Sequence, residues 1–464
     1  MFSLHETTRK RTCRTAFFAL CLAPTCATAA WIADHHLPWR DAAAARRLSD
    51  RYHLDVFLTD WQDPRPSMTR LAGVTLAEPG AAAPLLKLVG VESRRRGDAL
   101  ILSIDELTLA VADVPALAAR LEWSLTRTAA EKIELHVNKL TLQIAATAGR
   151  GPHADQAQPV TLHRLHGVVE RGQRDQPRLQ LIAHLAEQPA ADAKPISLVA
   201  APATAPTSGE EVSGEQKRVA APGQVITLNT KQNAIPVAIL APLVPGMAAL
   251  NDVATFTGVV TWHANAADVA GSIWGRLDGV DLAIALPKNS PHILTGTAAV
   301  ELTDCRWQGE QFQRLAGTLT TNDAAANGSL LIAALAYLGC DPGESLKPLQ
   351  AVAARHAEQS RPGREPSTED DALLAATRQL NHFACRFTFD AAGLAIEPHI
   401  PAASTLPAGT LAASEDQTVL FCRRAEAPKL PAVAWLQFIA SPPRLWIPVT
   451  PATLETARSL PSPQ

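Results

Sequence analysis

The sequence predicts a mainly β protein: an N-terminal transmembrane helix followed by a curved antiparallel β-sheet with a few short helices. Three observations predict it. Residues 253–331 read as strand after strand punctuated by glycine: VATFTGVVTWHA, GSIWGRLDGVDLAIAL, HILTGTAAVELTDCRW, FQRLAGTLT and NGSLLIAAL. Apolar and polar residues alternate within most of these runs, Val300 and Leu302 against Glu301 and Thr303. A period of two gives a sheet one apolar face and one that tolerates water. The third observation is the N-terminus, where Arg9, Lys10, Arg11 and Arg14 flank the apolar stretch TAFFALCLAPTCATAAWIA.

That stretch, residues 15–33, matches the roughly 20 residues a bilayer core requires, with its basic flank expected to stay cytoplasmic. Pro24 interrupts it, and Ala27-Thr28-Ala29 resembles a signal-peptidase site, so a cleaved signal is the alternative. Span length favours the anchor. Trp31 and Trp39 suit the outer interface of such a helix. Cys21 and Cys26 lack the small preceding residue of a lipobox. Either reading exports the remainder, and the favoured anchor makes a single pass in the inner (cytoplasmic) membrane with the bulk of the chain in the periplasm.

A chain of 464 residues, 47% of them hydrophobic, is long enough for two or more cores. With 42 basic and 45 acidic residues the net charge of −3 offers no field for nucleic acid, and no such partner is expected. No C-x-x-C pair occurs among the seven cysteines, which argues against a zinc or thioredoxin-like site. Cys305, Cys340, Cys385 and Cys422 form two disulfides by one of three pairings if exported, or remain four buried thiols. Both readings stay open.

In chain order, residues 1–40 form the anchor and junction, and 41–186 a β-rich domain with strands at YHLDVFLT, TRLAGVTLA, LLKLVGVESRR, ALILSIDELTLAVADV, EKIELHVNKLTLQI, VTLHRLHGVVER and PRLQLIAHLA. A helix is expected at 115–123, started by Pro115. Residues 187–223, rich in Ala, Pro, Thr and Ser, read as a polar linker or insertion with PISLVA as one candidate strand. The apolar segment 235–250, broken by prolines, is expected as a short helix across a sheet edge, opening a glycine-punctuated β-repeat domain at 224–340. A loose echo within it recurs after roughly 40 residues. A polar insertion at 341–377 includes a candidate helix at 348–359, and 378–464 supplies further strands, the short AVAWLQFIA element and a proline-rich tail.

These pieces resemble the AsmA-like envelope proteins, relatives of the translocation-assembly and lipid-bridging β-groove proteins. The resemblance lies in the N-terminal segment leading to Pro64-Arg65-Pro66 and LAGVTLAEPG, in DALILSIDELTLAVAD, in IPVAILAPLVPGMAAL, and in AAVELTDCRWQGEQFQRLAGTLTTNDAAANGSLLIAAL with its Asn327-Gly328 turn. It implies a curved sheet with an apolar inner face and a role in envelope assembly or lipid movement. This chain departs from the family in being short and in carrying polar inserts.

The function expected is therefore non-enzymatic: a tethered envelope protein whose apolar groove contacts lipid acyl chains. Acyl chains would lose water against Leu, Ile and Val at about 25 cal/mol per Å². Ile273, Leu277, Leu282, Ile284, Val300 and Leu302 are the groove candidates. The bland alternative makes them ordinary core. A second reading is a structural scaffold binding another envelope protein along an exposed sheet edge; an exported hydrolase ranks last.

Catalytic, cofactor and metal residues are not expected. His163 and His166, three apart in a strand, are placed on opposite faces and make a poor metal pair. His382 with Cys385 shares that parity problem, and His35-His36 reads as a solvated junction. Trp262, Trp274 and Trp307 recur among the glycine-rich strands, either rimming a groove or filling space over small neighbours.

Overall fold

The computed structural model describes residues 6–36, 39–65, 67–81, 83–114, 132–144, 159–171, 177–185, 194–202, 224–250, 253–264, 269–286, 290, 292–321, 323–338, 340–359, 368–400, 406–423 and 429–430. The helix expected at 115–123, the AVAWLQFIA element and the proline-rich tail lie outside these residues. The class is mainly β: among the described residues strand outweighs helix by 56% to 26%. Two compact units are present, Met1–Ala145 with Ala157–Ala193, and Ala146–Gln156 with Lys194–Gln464.

The first unit begins with α1 (Glu6–Phe17), a π turn (Phe18–Leu22) and α2 (Ala23–His36). Together they supply the one described helix long and apolar enough to cross a membrane, Glu6–Ala33, exposed along its length. The π turn falls directly before Pro24, where a missing N–H and the ring would disrupt a regular helix. Thr25 Oγ1 donates to the Cys21 carbonyl at 2.6 Å and Thr28 Oγ1 to the Pro24 carbonyl at 2.7 Å. Such bonds to the carbonyl four residues back give each hydroxyl an acceptor within the helix.

Helix α3 (Trp39–Tyr52) then guards the edge strand β1 (Asp55–Arg65). Leu48 and Tyr52 pack against Leu54, Val56 and Leu85. The Ser49 hydroxyl accepts from the Val56 amide at 3.0 Å, and the Asp41 carboxylate accepts from the amides of Asp60 and Trp61 at 3.1 and 3.3 Å. Edge amides that would otherwise invite another strand are thus occupied.

From β1 the chain forms an antiparallel meander with β2 (Met68–Ala77), β3 (Pro84–Arg96) and β4 (Ala99–Ala110). The next strand, β5 (Lys132–Gln143), pairs with β4 in parallel, and β6 (Val160–Arg171) and β7 (Pro177–Leu185) continue antiparallel. The sheet is therefore not wholly antiparallel, as the sequence predicts it to be. The stretch between β4 and β5 is long enough for the crossover a parallel pair requires.

One transverse row interrupts all of β1 to β6. Asp60, Ala72, Gly90, Asp105, Asn138 and Arg164 sit side by side, and each ladder passes over them, as from Val91↔Ile104 to Val89↔Glu106 and from Val137↔Leu165 to Lys139↔His163. Three of them have φ above zero: Asp60 (54°), Gly90 (63°) and Arg164 (51°). Beyond the row the apolar positions resume after three residues rather than two. Ile104 is followed by Leu107, Val137 by Leu140, and Leu162 by Leu165. The slip keeps one apolar face continuous along strands longer than strict alternation would serve.

In the second unit β8 (Ile196–Pro202), the PISLVA strand of the expected linker, pairs antiparallel with β9 (Gln224–Asn229). From β9 the antiparallel order runs through β11 (Thr255–Ala264), β12 (Val269–Asp281), β14 (Thr297–Gln308) and β15 (Gln311–Thr321) to β19 (His382–Asp390). The latter pairs with β20 (Gly393–Pro398) and β21 (Thr410–Ala413), and β22 (Val419–Arg423) joins β21 to β17 (Cys340–Pro342). The two-residue β10 (Ile235–Pro236) pairs with β11. A separate three-stranded sheet contains β13 (Leu294–Thr295), β16 (Ala324–Asn327) and β18 (Thr377–Leu380).

Two stretches expected as strand are not. NGSLLIAAL becomes helix α4 (Gly328–Tyr337), with Asn327 as its N-cap. An all-apolar run of Ala and Leu carries no period to separate helix from strand, and a capping Asn decides it. The strand expected through Leu286 stops at Asp281, whose carboxylate accepts from the Ala283 amide at 2.9 Å and turns the chain into a 3₁₀ turn at Leu282–Ala285. The polar insertion contains α5 (Lys347–Gln359) and α6 (Thr368–Ala375). Leu346 and Leu349 beside and within α5 are buried with Leu282, Ala298, Leu330 and Phe421, so this segment completes a core.

Candidate functional site

The six groove candidates lie on β12, its 3₁₀ turn and β14. Ile273 stands opposite Val260 and Cys305, Leu277 opposite Phe256 and Val300, and Leu302 opposite Gly275 and Gly317. Ile273, Leu277, Leu282 and Leu302 are only 1%, 5%, 8% and 4% exposed. They contribute to the core of the second unit, while Ile284 and Val300 are half-buried. Facing residues Gly258 and Gly275 leave room for the Phe256 ring, whose atoms would lie 2.8 and 3.1 Å from a Cβ at either position.

The 235–250 segment joins the same sheet through Ile235 and Pro236, which pair with Phe256 and Thr255 of β11. Pro242 and Pro245 prevent a continuous helix, and the chain makes 3₁₀ turns at Val237–Ile239 and Met247–Ala249. Ile235, Val237, Leu240, Val244 and Met247 are all buried. Residues 241–246 share a depression of about 410 Å³ with Trp307, Gly309 and Glu310, and Gly246 rests against the Phe312 ring. Trp307 occupies the face of Leu302 and Cys305, over Gly271. Its buried indole Nε1 finds no hydrogen-bond partner among the described residues. Trp262 is buried as well, whereas Trp274 points to the other face, 55% exposed.

The first unit presents a different apolar surface. Leu100, Leu102, Leu107 and Leu109 of β4 lie beside Ile133, Leu135, Leu140 and Leu142 of β5 in direct register. All but Leu140 and Leu142 are half-buried. Leu135 and Leu181 of β7 close over Gly167, where a Cβ would meet them at 3.2 and 2.5 Å.

The opposite face of the same strands is polar. It carries a histidine pair separated by 30 positions in sequence: His136 and His166 stand opposite each other, Nδ1 to Nδ1 3.3 Å, both exposed. His163 stands opposite His184. The slip at Arg164 puts His163 and His166 on one face, opposite the buried Leu162 and Leu165. This corrects the expectation of opposite faces, which assumed unbroken alternation.

All seven cysteines are free thiols. Burial, with the Asp304 charge second, pushes the Cys305 thiol up to about 12. Burial likewise pushes Cys385 to about 12 and Cys340 to about 11. These thiols stay protonated and are poor nucleophiles. His382 is exposed while Cys385, on the same strand, is buried. A contact that sequence reasoning missed joins Ser329 Oγ to His292 Nδ1 at 3.1 Å. Burial lowers the pKa of His292, and its Nε2 has no hydrogen-bond partner among the described residues. Their separation of 37 positions left no local signal. Among the described residues, no three His, Cys, Asp or Glu side chains converge as a metal-ligand set.

No family model, curated protein or solved structure matches the chain.

Proposed function

We propose that this chain is a membrane-tethered envelope protein of AsmA-like type, held in the inner membrane by its N-terminal helix with its bulk in the periplasm. It supports envelope assembly or lipid handling without enzymatic chemistry. The observation that carries the reading is the paired apolar row of β4 and β5, in which Leu100, Leu102, Leu107, Leu109, Ile133 and Leu135 are half-buried and Leu140 and Leu142 buried. An acyl chain laid along it loses contact with water at about 25 cal/mol per Å² of apolar surface and needs no reactive side chain. The exposed apolar helix, with Arg9, Lys10, Arg11 and Arg14 at one end, supports the tether and its orientation.

The six positions on β12, its turn and β14 enter this reading differently. With four of them in a core, their leucines and isoleucines shape the second unit, and the working surface is the first unit's sheet. Lipid analysis of the full chain extracted with detergent tests the proposal. Bound phospholipid or lipid A retained through gel filtration, and lost on replacing Leu102 and Leu135 by Glu, supports it. A lipid-free preparation that captures a protein partner instead overturns it.

A further inference from the structure

We propose that the facing imidazoles of His136 and His166 form a binding site for a divalent transition-metal cation, with zinc as the reference ion. The two residues are direct cross-strand partners of β5 and β6. Their ring centroids are 4.7 Å apart, the planes are inclined by 42°, and the Nδ1 atoms are separated by 3.3 Å. Metal–nitrogen bonds of about 2.0–2.1 Å at a tetrahedral angle place two ligand nitrogens about 3.3 Å apart. The cross-strand pairing therefore brings the two nitrogens to the spacing such an ion demands, where an N–H of one ring now donates to the other.

Imidazole nitrogen suits zinc, copper and nickel, whereas magnesium and calcium prefer oxygen. Both rings are exposed, so water can complete the coordination shell. Glu134, two residues from His136, adds negative charge on the same face. Lys132 stands 2.9 Å from the Glu134 carboxylate and offsets its charge. The nitrogens, more than the field, thus carry the affinity.

The test is calorimetric titration of the full chain, free of any histidine tag and held in detergent, with zinc chloride. One ion is expected to bind with both histidines present. His136→Ala and His166→Ala should each weaken association at least tenfold, while His263→Ala, a histidine on β11, leaves it unchanged. His166→Gln provides a second variant that keeps the size and polarity of the side chain, and far-UV circular dichroism checks its fold. A loss below tenfold in folded His136 and His166 variants overturns the site. So does magnesium binding as tightly as zinc.

Discussion

The carboxylate of Asp105 occupies the space a side chain on Gly90 would need: Oδ2 lies 2.1 Å from where its Cβ would stand. Gly90 also has φ of 63°, a region that other residues enter at a cost. Gly90→Ala should therefore destabilise the first unit by about 1–3 kcal/mol in chemical denaturation. Adding Asp105→Gly removes the clash but not the backbone cost, so the double variant should recover only part of the loss. Full recovery would show that φ at this position is unimportant.

At the start of α4 the Asn327 side-chain oxygen accepts from the amides of Leu330 and Ile293, each at 3.1 Å. Asn327→Ala leaves both without that acceptor and should cost about 1–2 kcal/mol. Asn327→Asp keeps the acceptor and should retain most of the stability. Urea denaturation followed by circular dichroism separates the two.

The buried thiols set an alkaline limit. A raised pKa means that the folded state holds its proton more tightly than the unfolded chain does. The corresponding stability is fully present below the ordinary value of 9.0 and is lost as pH rises towards about 11 for Cys340 and about 12 for Cys305 and Cys385. Stability measured from pH 8 to 11 should fall, and less steeply in Cys305→Ala. In native protein at pH 8, iodoacetamide should spare these three residues and modify them once urea is added.

Removing residues 6–33 should move the protein from the membrane pellet to the soluble fraction, because the only described helix able to span a bilayer is then gone. An intact N-terminus in the mass of membrane-extracted protein marks the helix as an anchor. A mass starting near Trp31 marks it as a cleaved signal.

Much of the strand framework was legible because burying one face imposes a period of two. ALILSIDELTLA and KIELHVNKLTLQ show it directly, and both are strands. Their parallel pairing was not legible, since it depends on the crossover between them. The phase slip at Asp105 and Asn138 was also hidden, because a polar pair such as Asp105-Glu106 reads as a lapse in alternation until its neighbours are seen in register. That slip is why alternation alone places His163 and His166 on opposite faces. Burial of Ile273 and Leu277 was equally unreadable: alternation marks an apolar face but does not say whether another segment lies over it.

The proposed lipid surface is tested most directly by photo-crosslinking in intact cells, with benzoylphenylalanine placed singly at Leu102, Leu135, Ser103 and Glu134. The first two lie on the apolar face of β4 and β5, the others on the polar face. The account predicts lipid adducts at Leu102 and Leu135 and none at Ser103 or Glu134. Adducts absent from the leucine positions, or equal on both faces, would contradict it.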